Sequence, residues 1–283
     1  MRSGRVRKFF EFMPKDALEI KPEKADENVV ELFHTREYVS FVKEMDKAGS
    51  GCLDYGDTPA YKGVYEASLY VVGTTVQLAD LVLRNEIDHG FNPMAGLHHA
   101  RRNAAAGFCV FNDVGVLIEH LRAKGVRKVL YVDVDAHHGD GVYYSYEYDP
   151  DLYILDVHER DIYPLSGRAA ERGKGEAEGT KVNVPLMAGA GDEELLDALE
   201  SNLEFMLSSN AEFVIYQCGC DGLYEDPLTG LRYTIKGLKR AAEMIHEISH
   251  RVAKGRLVAL GGGGYDFHTT GLCWAEVVRA LMS

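Results

Sequence analysis

Residues 129–141, Val-Leu-Tyr-Val-Asp-Val-Asp-Ala-His-His-Gly-Asp-Gly, constrain the fold more than any other stretch of the chain. An apolar run bounded by Lys128 turns into a knot of carboxylates, imidazoles and glycines. This is the pattern of a buried strand that delivers polar groups at its carboxyl end, where α/β sheets keep their chemistry. Asp135 and His137 sit two apart, so an extended backbone projects them from one side, together with Asp133. Hard oxygen and borderline nitrogen donors in that relation can share one ion. Three such groups facing inward need a cation or partners to offset their desolvation. A solvated turn with scattered charges is the bland alternative, and the apolar residues before Asp133 argue against it.

The same design recurs along the chain. Leu152–His158 carries its polar residues at the carboxyl end, and Phe213–Cys218 runs into Gly219-Cys220-Asp221-Gly222. Arg256–Leu260 ends in four glycines followed by Tyr265 and Asp266, Val182–Leu186 reads as a further short strand, and another closes at Gly90-Phe91-Asn92-Pro93. Helices are expected over about 63–83, 114–124, 192–207 with Asp192 as cap, and 235–252, with residues 1–50 mixed and helical. A chain of 283 residues buries a substantial core, and no Pro/Ser-rich linker divides it. One α/β domain over residues 1–283 is therefore expected. Asp221 at a strand end would complete a three-ligand set with Asp135 and His137, leaving coordination open as catalytic metal sites do. The four glycines lack the GxGxxG spacing and the lysine of a phosphate cradle. The alternative is a tight turn that holds Tyr265 over the metal, where its hydroxyl can donate to a developing oxyanion.

His98 and His99 are adjacent on irregular backbone, so each needs its own partner, and Asp133 and Asp140 are suitable. An imidazole held by a buried carboxylate gains basicity and a fixed tautomer, as a general base requires. A pair of surface histidines is the competing reading. Residues 104–113 form a small-residue loop in which Gly107 and Phe108 allow close approach of a ligand along an aromatic wall, although Phe in an apolar run is commonly core. Asp57, taken locally, is the turn residue before Pro59. Residues 167–179 read as a surface loop with solvated charges. His246 and His250 have helical spacing without an HExxH glutamate and are expected on the surface.

The formal charge of −13 argues against nonspecific binding to nucleic acid and favours cationic ligands, or serves solubility alone. The basic N-terminus has no apolar core of signal-peptide length behind it and no run long enough to span a bilayer, so a cytoplasmic protein without membrane association is expected. Five cysteines without CxxC spacing point to reduced thiols.

Taken together, Gly-Leu-His98-His99-Ala, Gly107-Phe108-Cys-Val-Phe-Asn-Asp113, the Asp133-to-Gly141 run, Gly219-Cys-Asp221 and Gly264-Tyr265 resemble the histone deacetylase superfamily in the family's own order. That family includes acetoin-utilisation-type deacetylases and acetylpolyamine amidohydrolases. The resemblance implies the arginase-deacetylase fold, a parallel sheet flanked by helices on both faces, with a zinc ion at the base of an acyl tunnel. It makes Asp135, His137 and Asp221 the zinc ligands. His98 and His99 become the paired imidazoles, oriented by Asp133 and Asp140, with His99 as general base and then acid. Tyr265 would polarise the acyl carbonyl. Gly107, Phe108 and Tyr163 match tunnel positions, Leu228 the far wall, and Asp57 the rim aspartate that holds the substrate backbone. The surroundings of Asp133 and Asp156 resemble the family's potassium site. The implied activity is zinc-dependent hydrolysis of acetyl-lysine or a related N-acyl amine.

Some features depart from the family pattern. The segment from Asp156 to Pro164 is short, as in class IV members, which leaves acyl-chain preference open. The usual first strand with its His-Pro motif is not found, so either a trimmed N-terminus or a rearranged sheet is expected. Leu228 stands where polyamine-selective members carry a glutamate gate, which weakens a polyamine assignment without removing the small-molecule amidohydrolase alternative. The arginase branch needs further metal-binding aspartates two residues after His137 and Asp221, where this chain has Gly139 and Leu223. A noncatalytic acyl-binding scaffold would be expected to have lost a ligand or Tyr265, and all are present. An Asp₂His set suits iron(II) as well as zinc. The sequence does not give the oligomeric state.

Overall fold

The computed structural model describes residues 3–283. Six strands form one all-parallel sheet in the order β1-β6-β5-β2-β3-β4, comprising β1 (His89–Asn92), β2 (Val129–Asp133), β3 (Leu152–Glu159), β4 (Lys181–Leu186), β5 (Phe213–Gln217) and β6 (Leu257–Leu260). Parallel neighbours require crossovers, and the helices supply them on both faces. They are α1 (Ser3–Phe12), α2 (Glu27–Val30), α3 (Arg36–Ala48), α4 (Val64–Leu83), α5 (Asp113–Ala123), α6 (Asp140–Ser145), α7 (Asp192–Ser201), α8 (Leu203–Ser208), α9 (Ile235–Ala253) and α10 (Phe267–Leu281).

The two-residue period of the strands sorts the core. Val129 and Tyr131 of β2 join Ile154, Ile215 and Val258 against α4 and α5, while Leu130 and Val132 join Leu155, Val214 and Leu257 against α9 and α10. Both faces of the sheet are thus covered, which is why its strands read as continuous apolar runs. No helix among the described residues is long and apolar enough to cross a membrane. All five cysteines are free thiols.

The expected helix over 192–207 is broken at Asn202, whose amide donates to the Ala198 carbonyl (2.8 Å) and competes with the backbone ladder. Gly191 rather than Asp192 occupies its N-cap; Asp192 instead accepts from the backbone N–H and hydroxyl of Thr234, pinning α7 to the start of α9. The central strand also ends earlier than an extended run through His137 would have it. Past Asp133 the chain bends, with Asp135 N–H donating to Asp133 Oδ1 and His137 N–H to Asp135 Oδ1, both at 3.0 Å.

Candidate active site

The carboxyl ends of β2 and β5 and the glycine run after β6 meet at one point. There Asp135, His137 and Asp221 bring ligand atoms within 4.8 Å of one another. His137 Nδ1 lies 3.2 Å from Asp135 Oδ1 and 3.0 Å from Asp221 Oδ2, in a site where both carboxylates are buried. Burial alone would depress this imidazole; Asp135 and Asp221 overcome it and raise His137 to about 11. Two buried carboxylates therefore hold positive charge between them, and two oxygens with one nitrogen match the donors of catalytic metal sites. The backbone is shaped to leave them room. A Cβ at Gly263 would stand 2.0 Å from Asp221 Oδ2, and one at Gly219 would stand 2.3 Å from Asp135 Oδ2. The residues fit a divalent ion.

Beside this group, His98 Nδ1 is 2.7 Å from Asp133 Oδ2 and His99 Nδ1 is 2.7 Å from Asp140 Oδ1. The two Nε2 atoms face each other at 3.1 Å, a contact that needs a proton on one ring. Burial opposes charge on His98, but Asp133 and Asp135 prevail and raise it to about 10. Burial and then charged His98 lower His99 to about 4 against the pull of Asp140, leaving a neutral base. Asp140 opens α6, and the next residue, Gly141, packs directly on the histidine-bearing loop; a Cβ there would meet the carbonyl oxygens of Ala100 and His98 at 2.5 and 2.6 Å.

Aromatic residues wall the approach. The Tyr163 ring lies 5.0 Å from that of His99 and 6.4 Å from that of His137, and Gly107 packs against both His99 and Tyr163. Phe108 faces Tyr265 at 6.0 Å and is half exposed. Its φ of +66° is uncommon for a side-chain-bearing residue, and its N–H is anchored on Thr58 Oγ1 (3.1 Å). Thr58 in turn donates to Asp57, which places that exposed carboxylate at the rim (3.1 Å). Leu228 is exposed on the other side, and one carboxylate, Asp226, accepts from the backbone N–H of both Leu228 (2.9 Å) and Tyr265 (2.7 Å). Burial, then Asp221 and Asp135, hold the Tyr265 phenol well above its ordinary range, so it stays a donor. Asp156 abuts Asp133 across β2 and β3, and its carboxylate accepts from Gly139 N–H (2.9 Å) and pairs with His158 Nδ1 (2.7 Å).

Four positioning residues escape a reading of the sequence for chemistry. Gln217, the last residue of β5, donates to Asp135 Oδ2 (2.8 Å). Asp113 accepts from the N–H groups of Gly96 and Leu97 and so fixes the loop leading to His98. Asp226 ties Leu228 to Tyr265, as above. Arg5 of α1 donates to the carbonyls of Gly262 (3.0 Å) and Gly264 (3.1 Å) and lies over Trp274, bracing the turn before Tyr265 from behind. Only Gln217, a lone polar residue at the end of the apolar run from Phe213, carried a local signal.

Sheet order, the buried ligand group and the flanking imidazole-carboxylate pairs together define an arginase-deacetylase fold whose polar centre lies at the carboxyl edge. Residues 1–281 match the histone deacetylase domain, and the chain belongs to the histone deacetylase family. It is 37% identical over 274 residues to the acetoin utilization protein AcuC of Bacillus subtilis strain 168, covering 92% of this chain and 68% of that one. A probable deacetylase of Archaeoglobus fulgidus is 32% identical over 250 residues, covering 87% of this chain and 69% of the relative. The crystal structure of the HDA15 HD domain superposes with a TM-score of 0.91 at 27% identity, over all of this chain and 82% of that one. The protein is thus an AcuC-like deacetylase of a family of hydrolases that is generally metal-dependent.

Proposed function

We propose that residues 1–283 act as one catalytic domain that hydrolyses the amide of acetyl-lysine or a related N-acyl amine, with Asp135, His137 and Asp221 holding Zn²⁺ or Fe²⁺. The observation that carries this reading is the neutral His99, backed by Asp140, standing beside a buried Asp₂His group inside aromatic walls. When bound, the ion supplies a Lewis acid that lowers the pKa of water and polarises the acyl carbonyl. His99 takes the proton of the attacking water at Nε2 while Asp140 fixes the tautomer through Nδ1. His98, paired with Asp133, supports the charge that develops. The Tyr265 hydroxyl donates to the oxyanion of the tetrahedral intermediate, and His99 then protonates the leaving amine. Gly107, Phe108, Tyr163 and Leu228 enclose the acylated side chain and exclude water, and Asp57 accepts from the substrate backbone at the rim. A potassium ion near Asp133 and Asp156 fits the juxtaposition of these two buried carboxylates and would have a structural role.

The test is a matched panel of acetyl-lysine, longer-acyl-lysine and trifluoroacetyl-lysine peptides with acetylated polyamines, assayed with and without added Zn²⁺. Metal-dependent turnover of the lysine peptides, lost in Tyr265→Phe, is the expected result. Turnover of the polyamines alone would move the substrate to small amines. No turnover of any member by metal-loaded protein would overturn the catalytic reading.

A further inference from the structure

A second group of imidazoles lies at the opposite end of the sheet. His89 opens β1, in register with Leu257 at the start of β6, while the catalytic carboxylates sit past the other ends of the strands. His246 and His250, four residues apart, share one face of α9 and point at His89. His246 is only 8% exposed, contrary to the surface position expected for it, whereas His250 is exposed. His246 Nε2 lies 2.9 Å from His89 Nε2 and 3.0 Å from His250 Nε2, and the three ligand nitrogens all fall within 4.8 Å. Gly255 leaves space for the outermost ring, since a Cβ there would stand 2.8 Å from His250 Cε1.

Protons alone satisfy this arrangement poorly. A neutral imidazole offers one N–H or one lone pair at Nε2, and His246 Nε2 has a second nitrogen on either side of it. An N–H there serves one neighbour, and a lone pair accepts well from one. The second contact must share that same proton or lone pair. A cation at the point of convergence would accept one lone pair from each ring.

We infer that His89, His246 and His250 form an accessory metal site for a divalent transition-metal ion, separate from the catalytic centre. Three neutral nitrogen donors suit Zn²⁺, Ni²⁺ or Cu²⁺ and do not suit Mg²⁺ or Ca²⁺. The three histidines line a cavity of about 820 Å³ between α1, α4, β1 and α9, which gives solvent or a small ligand access to the remaining coordination position. The ion would clamp edge strand β1 to α9.

The experiment is Zn²⁺ titration at neutral pH of the full chain, followed by metal analysis and thermal melting. Wild type is expected to hold two Zn²⁺ per chain. His250→Gln and His246→Gln should hold one, weaken the second equivalent by at least about 100-fold, more than loss of a supporting group costs, and keep wild-type deacylase turnover. Asp221→Ala should retain the accessory ion and a Zn²⁺-dependent rise in Tm that the Asp221→Ala/His250→Gln double variant lacks. Because His250 is exposed, its variant reports even if a substitution at His246 or Asp221 impairs folding. Equal Zn²⁺ stoichiometry in wild type and His250→Gln, or no Zn²⁺-dependent rise in Tm in Asp221→Ala, would overturn the site whatever the outcome for catalysis.

Discussion

The two ends of the sheet both gather histidines, and they treat them oppositely. At the candidate catalytic centre His98 faces Asp133, His99 faces Asp140, and His137 faces both Asp135 and Asp221. At the amino end His89, His246 and His250 face one another. A carboxylate fixes which nitrogen carries the proton and how tightly, which suits the first group to the proton transfers proposed for it. With imidazoles as their partners, the second group offers only nitrogen donors, as the proposed accessory ion requires. Neighbouring chemistry, rather than histidine count, sets the role.

The largest contrast is expected from Asp221→Ala, which should remove metal from the carboxyl end and abolish measurable deacylase turnover. Metal analysis with an activity assay checks this; full occupancy of the catalytic site would contradict the ligand assignment. Tyr265→Phe comes next, with metal retained and turnover lower by roughly 10²–10³-fold. Wild-type kcat in that variant would remove Tyr265 from the mechanism. Asp140→Asn makes one catalytic imidazole resemble those at the amino end. It should cost on the order of 10²-fold in kcat while leaving Zn²⁺ stoichiometry intact, within the range that general acid-base catalysis contributes. An unchanged kcat would mean that the carboxylate partner does not matter. The smallest effect lies at the amino end in chelator-treated protein. Burial and the neighbouring imidazoles lower the pKa of His89 below its unfolded value, so between pH 6.5 and 4 the unfolded chain binds more protons and stability falls as pH falls. Discounted for partial exposure, wild type should lose about 1 kcal/mol more than His89→Asn between pH 7 and pH 4.5. Denaturant melts at the two pH values measure it, and equal losses would show that the cluster carries no such burden.

The alternation of apolar runs with chemistry at their ends made the sheet legible, because a strand buried on both faces has no other way to read. Asp133, Asp135, His137 and Asp221 announced themselves as polar groups at strand ends, and the structure brings the last three within reach of one ion. The reason they converge was not legible: the chain bends after Asp133 through carboxylate contacts to the N–H groups two residues on, which no periodicity encodes. Gln217 and Arg5 act on partners 82 and 257 residues away, and a lone amide or guanidinium does not declare so distant a contact. His89 stands 157 residues from His246, and only the parallel β1-β6 pairing and the crossover through α9 bring them together.

Gly141 turns this geometry into tolerance and intolerance. Because α6 touches the Ala100 and His98 carbonyls with bare backbone, the separation of the two backbones that carry Asp140 and His99 is set by the thickness of two chains, with no side chain between them. The contact behaves as a fixed gauge. Side chains elsewhere around the site can change without disturbing it, yet one added methyl group at residue 141 would stand 2.6 Å from the carbonyl carbon of His99 and force that residue away from Asp140.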